Sequence, residues 1–155
     1  MTPAITDARR HNISHRIHEY PHDSSSESYG HEAAEKLGIS ADRVFKTLVV
    51  HLDNNDLAVA VVPVSTSLSM KLMAKAAGAK KAAMADRAEV ERSTGYVMGG
   101  VSPLGQKKRL QTIIDLTATD FTSIFVSAGR RGLEIELSPH DLKTLTGGTY
   151  ADIRQ

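Results

Sequence analysis

The segment VFKTLVVHLDNNDLAVAVVP, residues 44–63, predicts two β-strands joined by a turn. The runs at 44–51 and 57–63 are rich in β-branched and other apolar residues, and the DNND sequence between them is typical of a turn. The second run is apolar on both of its faces, so the fold has to cover this strand from two sides. The segment therefore predicts a hairpin with a buried second strand.

The other helices and strands follow from the spacing of apolar residues and from residues that begin or end helices. Ser67 or Ser69 would begin the third helix. Helices are predicted at 3–11, 29–37, about 70–77, 86–93 and from 138 onward, and further strands at 15–20, 112–115, 123–127 and 133–137. This mixture predicts an α/β (α+β) fold, in which a mixed, largely antiparallel, barrel-like sheet is flanked by helices.

The composition is that of one ordinary domain, which we expect to span residues 1–155. Of the 155 residues 41% are hydrophobic, which is enough for one sizeable core. The 19 basic and 18 acidic side chains nearly cancel, so an anionic partner would have to meet a local basic patch. The sequence has no cysteine, which excludes disulfides, thiolate zinc sites and cysteine nucleophiles.

The sequence has neither the pattern of a membrane span nor that of a secretion signal. No apolar run approaches the roughly 18 residues that a membrane-spanning helix needs. The N-terminal stretch MTPAITDARRHN also lacks a continuous apolar segment. We therefore expect a cytoplasmic protein without a membrane partner.

Four histidines have a spacing that would align them on one continuous helix: His11, His15, His18 and His22. Such a row would suggest a metal site. However, Asn12 and Pro21 interrupt the helix, so the row is not expected to form. Solvated or hydrogen-bonded imidazoles are the expected state, and we predict neither a metal nor a cofactor.

Lys46 is the exceptional residue of the first strand. Alternation places it on the same face as Val44 and Leu48. A lone ammonium on an apolar face has two explanations. Either the strand lies at an edge and the ammonium reaches water, or the lysine stands partly desolvated at a pocket mouth, where it binds a phosphate or an ester carbonyl. The residues alone leave both explanations open.

The loop GYVMGGVSPLGQKKR, residues 95–109, is a second candidate site. Ser102 does not lie in a G-x-S-x-G nucleophile turn, and Pro103 removes a backbone N–H that such a turn supplies. Neither glycine-rich phosphate-binding fingerprint is present. The N–H groups near Gly99 and Gly100 can line a concave site, because glycine lets a ligand approach the backbone closely. A tight turn without a ligand explains these glycines equally well.

Charged residues form short groups whose role the sequence leaves open. The basic groups are either solvated or parts of one docking surface: Lys71 with Lys75, Lys80-Lys81, Lys107-Lys108-Arg109 and Arg130-Arg131. Glu134 and Glu136 alternate with the apolar residues of 133–137, so the two carboxylates share one face of a strand. That face is in solvent unless it lines a pocket.

Five segments, in this order and spacing, resemble the YbaK/EbsC family of aminoacyl-tRNA editing proteins: RVFKTLVV, LAVAVVP, KLMAKAAGAKK, RSTGYVMGGVSPLGQKKRLQTIID and SAGRRGLEIEL. The resemblance covers essentially the whole chain, and the RSTGY to GQKKR block is its most specific part. The editing domain of bacterial prolyl-tRNA synthetases and free-standing Ala-tRNA(Pro) deacylases share these features more loosely. The resemblance implies a barrel-like α/β fold with a pocket for the aminoacylated 3′ end of tRNA.

The resemblance also implies site residues. The family's invariant lysine falls on Lys46 and its backbone-donor glycines on Gly99 and Gly100, which are the implied catalytic residues. The implied substrate-binding residues are Tyr20, Tyr29, Thr47, Ser102, Ser127, Gly129 and Glu134. Close relatives carry phenylalanine at the position of Tyr29 and aspartate at that of Glu134.

The implied activity is deacylation in trans, with cysteine released from Cys-tRNA(Pro) and with Cys-tRNA(Cys) as a further candidate substrate. The substrate's own thiol would attack its ester, so the protein would supply position and electrostatic support rather than a nucleophile. Prolyl-tRNA synthetase is the expected partner, because the chain has no obvious anticodon-reading module. The alternatives are a deacylase for another small amino acid, such as alanine, and a non-catalytic module that binds tRNA ends or a synthetase.

Overall fold

The computed structural model describes residues 1–25 and 29–155. Within these ranges the helices are α1 (Pro3–Arg10), α2 (Tyr29–Leu37), α3 (Met70–Ala76), α4 (Arg87–Thr94) and α5 (Pro139–Thr146), with a 3-10 helix at Leu116–Asp120. The strands are β1 (His15–Glu19), β2 (Phe45–Leu52), β3 (Leu57–Pro63), β4 (Ala82–Met84), β5 (Gln111–Asp115), β6 (Ile124–Arg130), β7 (Leu133–Leu137) and β8 (Thr149–Ala151).

Three helices begin at residues whose side chains cap the first turn. The side chains of Ser69, Asp86 and Ser138 each accept a hydrogen bond from the backbone N–H three residues later, at 3.1, 2.8 and 3.1 Å. Such bonds satisfy N–H groups that have no partner within the first helical turn. Of the two candidate caps of α3, the structure uses Ser69.

The strands form two sheets that meet at one end of the predicted hairpin. β2 and β3 are antiparallel, as predicted, with Lys46 opposite Val62. They belong to a five-stranded sheet of order β4-β2-β3-β5-β8, in which β5 and β8 are added in parallel. A three-stranded antiparallel sheet has the order β1-β7-β6, and a backbone bridge between Val44 and Phe125 joins the sheets. The predicted class, mixed and largely antiparallel with outer helices, is confirmed, and its strands divide between two sheets.

Strand β3 is buried on both faces, as its sequence predicts. Val59 and Val61 pack in the same cluster as Ile135 of the three-stranded sheet. Ala60, on the opposite face, packs in a second cluster with Met73 of α3. All of these side chains have no solvent exposure, and fully burying a valine contributes roughly 1.5–3 kcal/mol. The five-stranded sheet is thus the middle layer, between the three-stranded sheet and α3.

The sequence did not predict β4, β8 or the 3-10 helix. β4 and β8 have three residues each, too few to show a period-two pattern. They form because β2 and β5 offer unpaired edges to them. β6 also continues to Arg130, past the predicted end at 127, through an irregular register between Ser127 and Arg130.

The four spaced histidines make separate hydrogen bonds. Their partners are the carbonyl oxygen of Asp7 for His11, that of Ile13 for His15, and the carboxylates of Glu136 for His18 and Glu32 for His22. In the described part of the chain, no group of three or more His, Cys, Asp or Glu side chains is arranged to hold a metal ion.

None of the helices in residues 1–25 and 29–155 is long and apolar enough to cross a membrane.

Candidate active site

A cavity of about 300 Å³ opens where the two sheets meet. Its walls come from the first half of β2, from β6 and β7 with the turn between them, from the start of α2 and from the loop before β5. The lining residues are Tyr20, Tyr29, Gly30, Val44, Phe45, Lys46, Thr47, Leu48, Met98, Gly99, Val101, Ser127, Arg130, Arg131 and Glu134. A pocket of this size suits a small ligand or part of a larger one.

The structure brings most of the predicted site residues to this cavity. They are Tyr20, Tyr29, Lys46, Thr47, Gly99, Ser127 and Glu134, and they come from elements far apart in the sequence. Gly100, Ser102 and Gly129 do not line the cavity.

Local hydrogen bonds explain why these three residues lie behind the wall. The N–H of Gly100 donates to the carbonyl oxygen of Val97 at 2.9 Å, so it closes a turn and does not face a ligand. Ser102 is fully buried, and its Oγ accepts a bond from the N–H of Leu104 at 3.2 Å. The N–H of Gly129 donates to Ser127 Oγ within the irregular part of β6. Of the glycine pair, only Gly99 reaches the cavity.

Lys46 enters the cavity where β2 lacks a neighbour on one side of the five-stranded sheet. β4 pairs only with residues 50–52, so beside Lys46 that sheet continues through β3 alone. Lys46 Nζ donates a hydrogen bond to the carbonyl oxygen of Thr66 at 2.8 Å. Burial lowers the pKa of the ammonium group. An ammonium has three donors, so the bond to Thr66 holds it in place and leaves it able to bind a ligand oxygen.

Thr47, the next residue of β2, presents an unsatisfied hydroxyl. Its Oγ1 is buried and has no hydrogen-bond partner among the described residues. Buried polar atoms of this kind are rare, because each costs about 1–3 kcal/mol when it is left unpaired. Since Thr47 lines the cavity, a bound ligand can supply the partner.

Glu134 supplies a buried carboxyl group on the opposite wall. The residue is 6% exposed, and burial raises its pKa to about 8. At neutral pH it is therefore mainly protonated and able to donate a hydrogen bond to a ligand oxygen. Burial, and then the charge that Glu134 carries when ionised, raise the pKa of Tyr20 to about 12. Tyr20 thus remains a neutral phenol.

Gly99 is required by the crowding at the cavity mouth. Its φ is +95°, in the region that favours glycine. A methyl group at this position would lie 2.7 Å from Cε2 of Tyr29 and 2.8 Å from Nε of Arg131. A side chain at residue 99 would therefore displace two residues of the wall.

The glycine-rich loop is held by hydrogen bonds rather than left flexible. The hydroxyl of Tyr96, 4% exposed, donates to the carbonyl oxygen of Leu104 at 2.5 Å. Glu91 of α4 accepts a bond from the N–H of Met98 at 2.8 Å, and the Gln106 amide donates to the carbonyl oxygen of Ser102 at 2.9 Å. These bonds set the position of Gly99 relative to Lys46.

Replacing Gly105 with alanine is expected to lower the free energy of unfolding by about 3 kcal/mol. The loss has two causes, because alanine is strained in the left-handed backbone conformation and because its methyl group would push packed atoms apart. The φ of Gly105 is +65°, and a methyl group would lie 2.5 Å from the carbonyl oxygen of Pro3. Gly38 is the matched control, because its φ is +68° and nothing lies within 4 Å. Gly38→Ala should cost only about 1 kcal/mol. Denaturant unfolding of both variants measures the difference, and equal losses would contradict a role for the contact with α1.

Arg131 lines the cavity, which sequence pattern alone does not predict. It belongs to a basic pair in the turn between β6 and β7, and its guanidinium lies over the ring of Tyr29 at 3.6 Å. The pair was visible in the sequence, but nothing in the sequence places residue 131 beside residue 29.

The chain as a whole is similar in sequence to known proteins. The sequence model of the family named aminoacyl-tRNA editing domain matches residues 26–145. EbsC of Enterococcus faecalis, provisionally described as a Cys-tRNA(Pro)/Cys-tRNA(Cys) deacylase, is 38% identical over 152 residues, which are 98% of this chain and 92% of that protein. The uncharacterised protein YwhH of Bacillus subtilis is 30% identical over 111 residues, 72% of this chain and 70% of that protein.

A solved structure shows the same fold. It is a crystal structure of a protein provisionally described as a trans-editing enzyme for prolyl-tRNA synthetase, with a TM-score of 0.83 and 23% identity, over 99% of this chain and 92% of the other. Together with the match over residues 26–145 and the likeness to EbsC, it confirms the resemblance seen in the sequence. The chain belongs to the aminoacyl-tRNA editing domain family.

Proposed function

We propose that this protein is a trans-editing deacylase that releases cysteine from Cys-tRNA(Pro), with Cys-tRNA(Cys) as a second candidate substrate. The observation that carries this proposal is the pairing of a half-buried lysine with a neutral carboxyl group in one small cavity. Both groups can donate hydrogen bonds to ester oxygens. The family match and the provisional description of EbsC support the choice of substrate.

The proposed reaction uses the thiol of the substrate as the nucleophile. The sulfur attacks the carbonyl carbon of its own ester, a new S–C bond forms, and the C–O bond to the terminal ribose breaks. The thiol proton passes to the leaving ribose oxygen, so that the products are a cyclic cysteine thiolactone and uncharged tRNA. The protein then only has to position the thiol and stabilise the developing oxyanion.

Four groups of the cavity have roles in this reaction. The Lys46 ammonium, already fixed by Thr66, stabilises the oxyanion or the leaving oxygen. The backbone at Gly99 lies at the mouth, where a glycine allows the ester to approach closely. Glu134 in its neutral form donates to a second ester or ribose oxygen, and the unsatisfied Thr47 hydroxyl binds the aminoacyl group.

The remaining wall residues would bind the end of the substrate. Tyr20 and Tyr29 offer aromatic surfaces, and Ser127 offers a hydroxyl beside the bulge of β6. We also propose that residues 1–155 act as one editing domain, because β1 and β8, near its two ends, both pair into the sheets that form the cavity.

Prolyl-tRNA synthetase is the proposed partner in the cytoplasm. The cavity would bind only the aminoacylated 3′ end of the tRNA. The synthetase would recognise the rest of tRNA(Pro). A strict preference for tRNA(Pro) by the isolated protein would contradict this division of roles.

A panel of charged tRNAs tests the proposed function. We expect multiple-turnover release of amino acid from Cys-tRNA(Pro), and a loss of about 100-fold or more when serine replaces cysteine, because a hydroxyl is a far weaker nucleophile than a thiol. Ala-tRNA(Pro) and Pro-tRNA(Pro) complete the panel. Equal release of serine and cysteine, or release of alanine alone, would contradict the thiol mechanism. Binding of charged tRNA without turnover would instead identify a non-catalytic module.

A further inference from the structure

Arg131 is held in one conformation at the wall of the cavity. Its guanidinium stacks on the ring of Tyr29 at 3.6 Å and donates to the Tyr29 hydroxyl. Its Nη1 also donates to Nε2 of His22 at 3.2 Å. Stacking and hydrogen bonding together hold the arginine side chain in one rotamer. Because it is already ordered, it loses little conformational entropy when it binds a ligand.

His22 in turn is fixed by a buried carboxylate. Its Nδ1 donates to Oε1 of Glu32 at 2.7 Å, and Glu32 is 7% exposed. Oε2 of Glu32 accepts bonds from the N–H of Asp23 at 2.9 Å and from Lys36 at 3.3 Å. Burial raises the pKa of Glu32, but the bonds from His22, Asp23 and Lys36 outweigh it and leave that pKa lowered. Because Nδ1 of His22 carries the proton that it donates to the carboxylate, Nε2 is the acceptor for Arg131.

The guanidinium of Arg131 can still bind an anion. In the ranges that the structure describes, no carboxylate lies within salt-bridge distance of it. Among the described residues Nη1 donates to His22 and Nη2 donates to Tyr29, whereas Nε has no partner and can still donate. Arginine is the residue best suited to bind phosphate through parallel N–H donors.

The chemistry of the aminoacylated 3′ end of tRNA indicates which anion Arg131 would bind. The aminoacyl group has no free carboxylate, because that carboxylate is in the ester, and its amino group is cationic. The nearest anion in the substrate is the phosphate that precedes the terminal adenosine. We propose that Arg131 binds this phosphate and that His22, which Glu32 holds in place, is its positioning residue. This inference rests on the proposed function, since it takes the aminoacylated 3′ end as the ligand.

A comparison of adenosine 5′-monophosphate with adenosine tests the site without any reaction. Calorimetry should show that the protein binds the monophosphate about tenfold more tightly, and that Arg131→Gln removes this preference. Arg92→Gln is the matched control, because it removes the same charge from an exposed residue of α4 that does not line the cavity. It should keep most of the preference. Equal binding of the two ligands by the unaltered protein, an unchanged preference in Arg131→Gln, or an equal loss in Arg92→Gln would overturn the proposal.

Steady-state kinetics separate phosphate binding from the chemical step. On Cys-tRNA(Pro), Arg131→Gln should raise KM about tenfold and change kcat by less than about twofold. On cysteinyl-adenosine, which lacks the phosphate, the variant and the unaltered protein should have the same kcat/KM. A loss of equal size on both substrates would overturn the proposal. If the unaltered protein releases cysteine from neither substrate, the proposed function is wrong, and the monophosphate comparison still decides the role of Arg131.

Two variants test the positioning role of His22. Glutamine can donate to Glu32 and accept from Arg131, whereas leucine can do neither. His22→Leu should reduce the preference for the monophosphate to about threefold or less, and His22→Gln should restore part of it, because a pre-fixed binding group loses less entropy. Turnover of cysteinyl-adenosine should not change in either variant. An unchanged preference in His22→Leu would show that Arg131 needs no positioning residue.

Discussion

Replacing Lys46 with methionine is expected to lower kcat/KM for charged tRNA about 100-fold, because an oxyanion donor contributes roughly 3 kcal/mol to the barrier. Methionine keeps an unbranched side chain of similar length and removes only the ammonium group, so the packing of β2 should persist. The hydrogen bond to Thr66 is lost as well, but it ends on a carbonyl oxygen near the end of β3 and not in the core. Lys46→Ala should show the same loss of activity with a larger loss of stability.

The control for this variant is a lysine that lies outside the cavity. Lys71 is exposed on α3, so Lys71→Met removes the same charge without touching the cavity wall. Single-turnover deacylation measures the chemical step, and thermal unfolding measures the fold. Near-normal deacylation by a folded Lys46→Met protein would show that Lys46 does not stabilise the transition state. An equal loss of deacylation in Lys71→Met would show that the effect comes from the net charge of the protein and not from the position of Lys46.

Replacing Glu134 with glutamine is expected to remove a pH-dependent loss of stability on the order of 5 kcal/mol. The pKa of this carboxyl is about 8 in the folded protein and has its ordinary value, 4.5, in the unfolded chain. Between these values the folded state holds a proton that the unfolded state has released. The free energy of unfolding of the native sequence should therefore fall as the pH rises from about 4.5 to 8 and then level off. Denaturant unfolding at a series of pH values measures this slope.

Glu136, two residues further along β7, provides a control of opposite sign. Burial raises its pKa, but hydrogen bonds from Ser123 and His18 and the charge of Arg43 outweigh burial, so the pKa is lowered. Its contribution to stability is present above the unfolded pKa and is lost as the pH falls through the folded one. Glu136→Gln should therefore cost stability at neutral pH and leave the slope due to Glu134 in place. Parallel stability curves for Glu134→Gln and the native sequence would contradict the assignment of that slope.

For Glu134 and Glu136, the sequence predicts a shared strand face but not the different pKa of each carboxyl group. Alternation correctly predicts that they share one face of a strand, but it cannot distinguish their surroundings. Glu136 meets Arg43 and Ser123 at one end of the face, whereas Glu134 meets the cavity at the other. A pKa depends on atoms brought close by the tertiary fold, so the acidic form of Glu134 could not be predicted from local pattern.

Local pattern was sufficient for the hairpin and for most helices. A run such as 57–63, apolar on both faces, can only be a buried strand or a buried helix segment, and the adjacent turn decides in favour of the strand. Lys46 was identifiable for the same reason, since a charge within such a pattern requires an explanation. Arg131 and His22 were not identifiable as a pair, because they are 109 residues apart and only the pairing of β1 with β7 brings them together.

The bridge between Val44 and Phe125 has a consequence for substrate choice. The cavity lies at the seam between two sheets, and each sheet carries only part of the wall. Packed interiors transmit small displacements instead of absorbing them. A change of one methylene group in the core of either sheet can thus widen or narrow the seam without altering any wall residue. Under the proposed function, the packing of the cores behind the wall would therefore help to set the size of amino acid that fits, and proteins with identical wall residues could differ in the amino acid they accept.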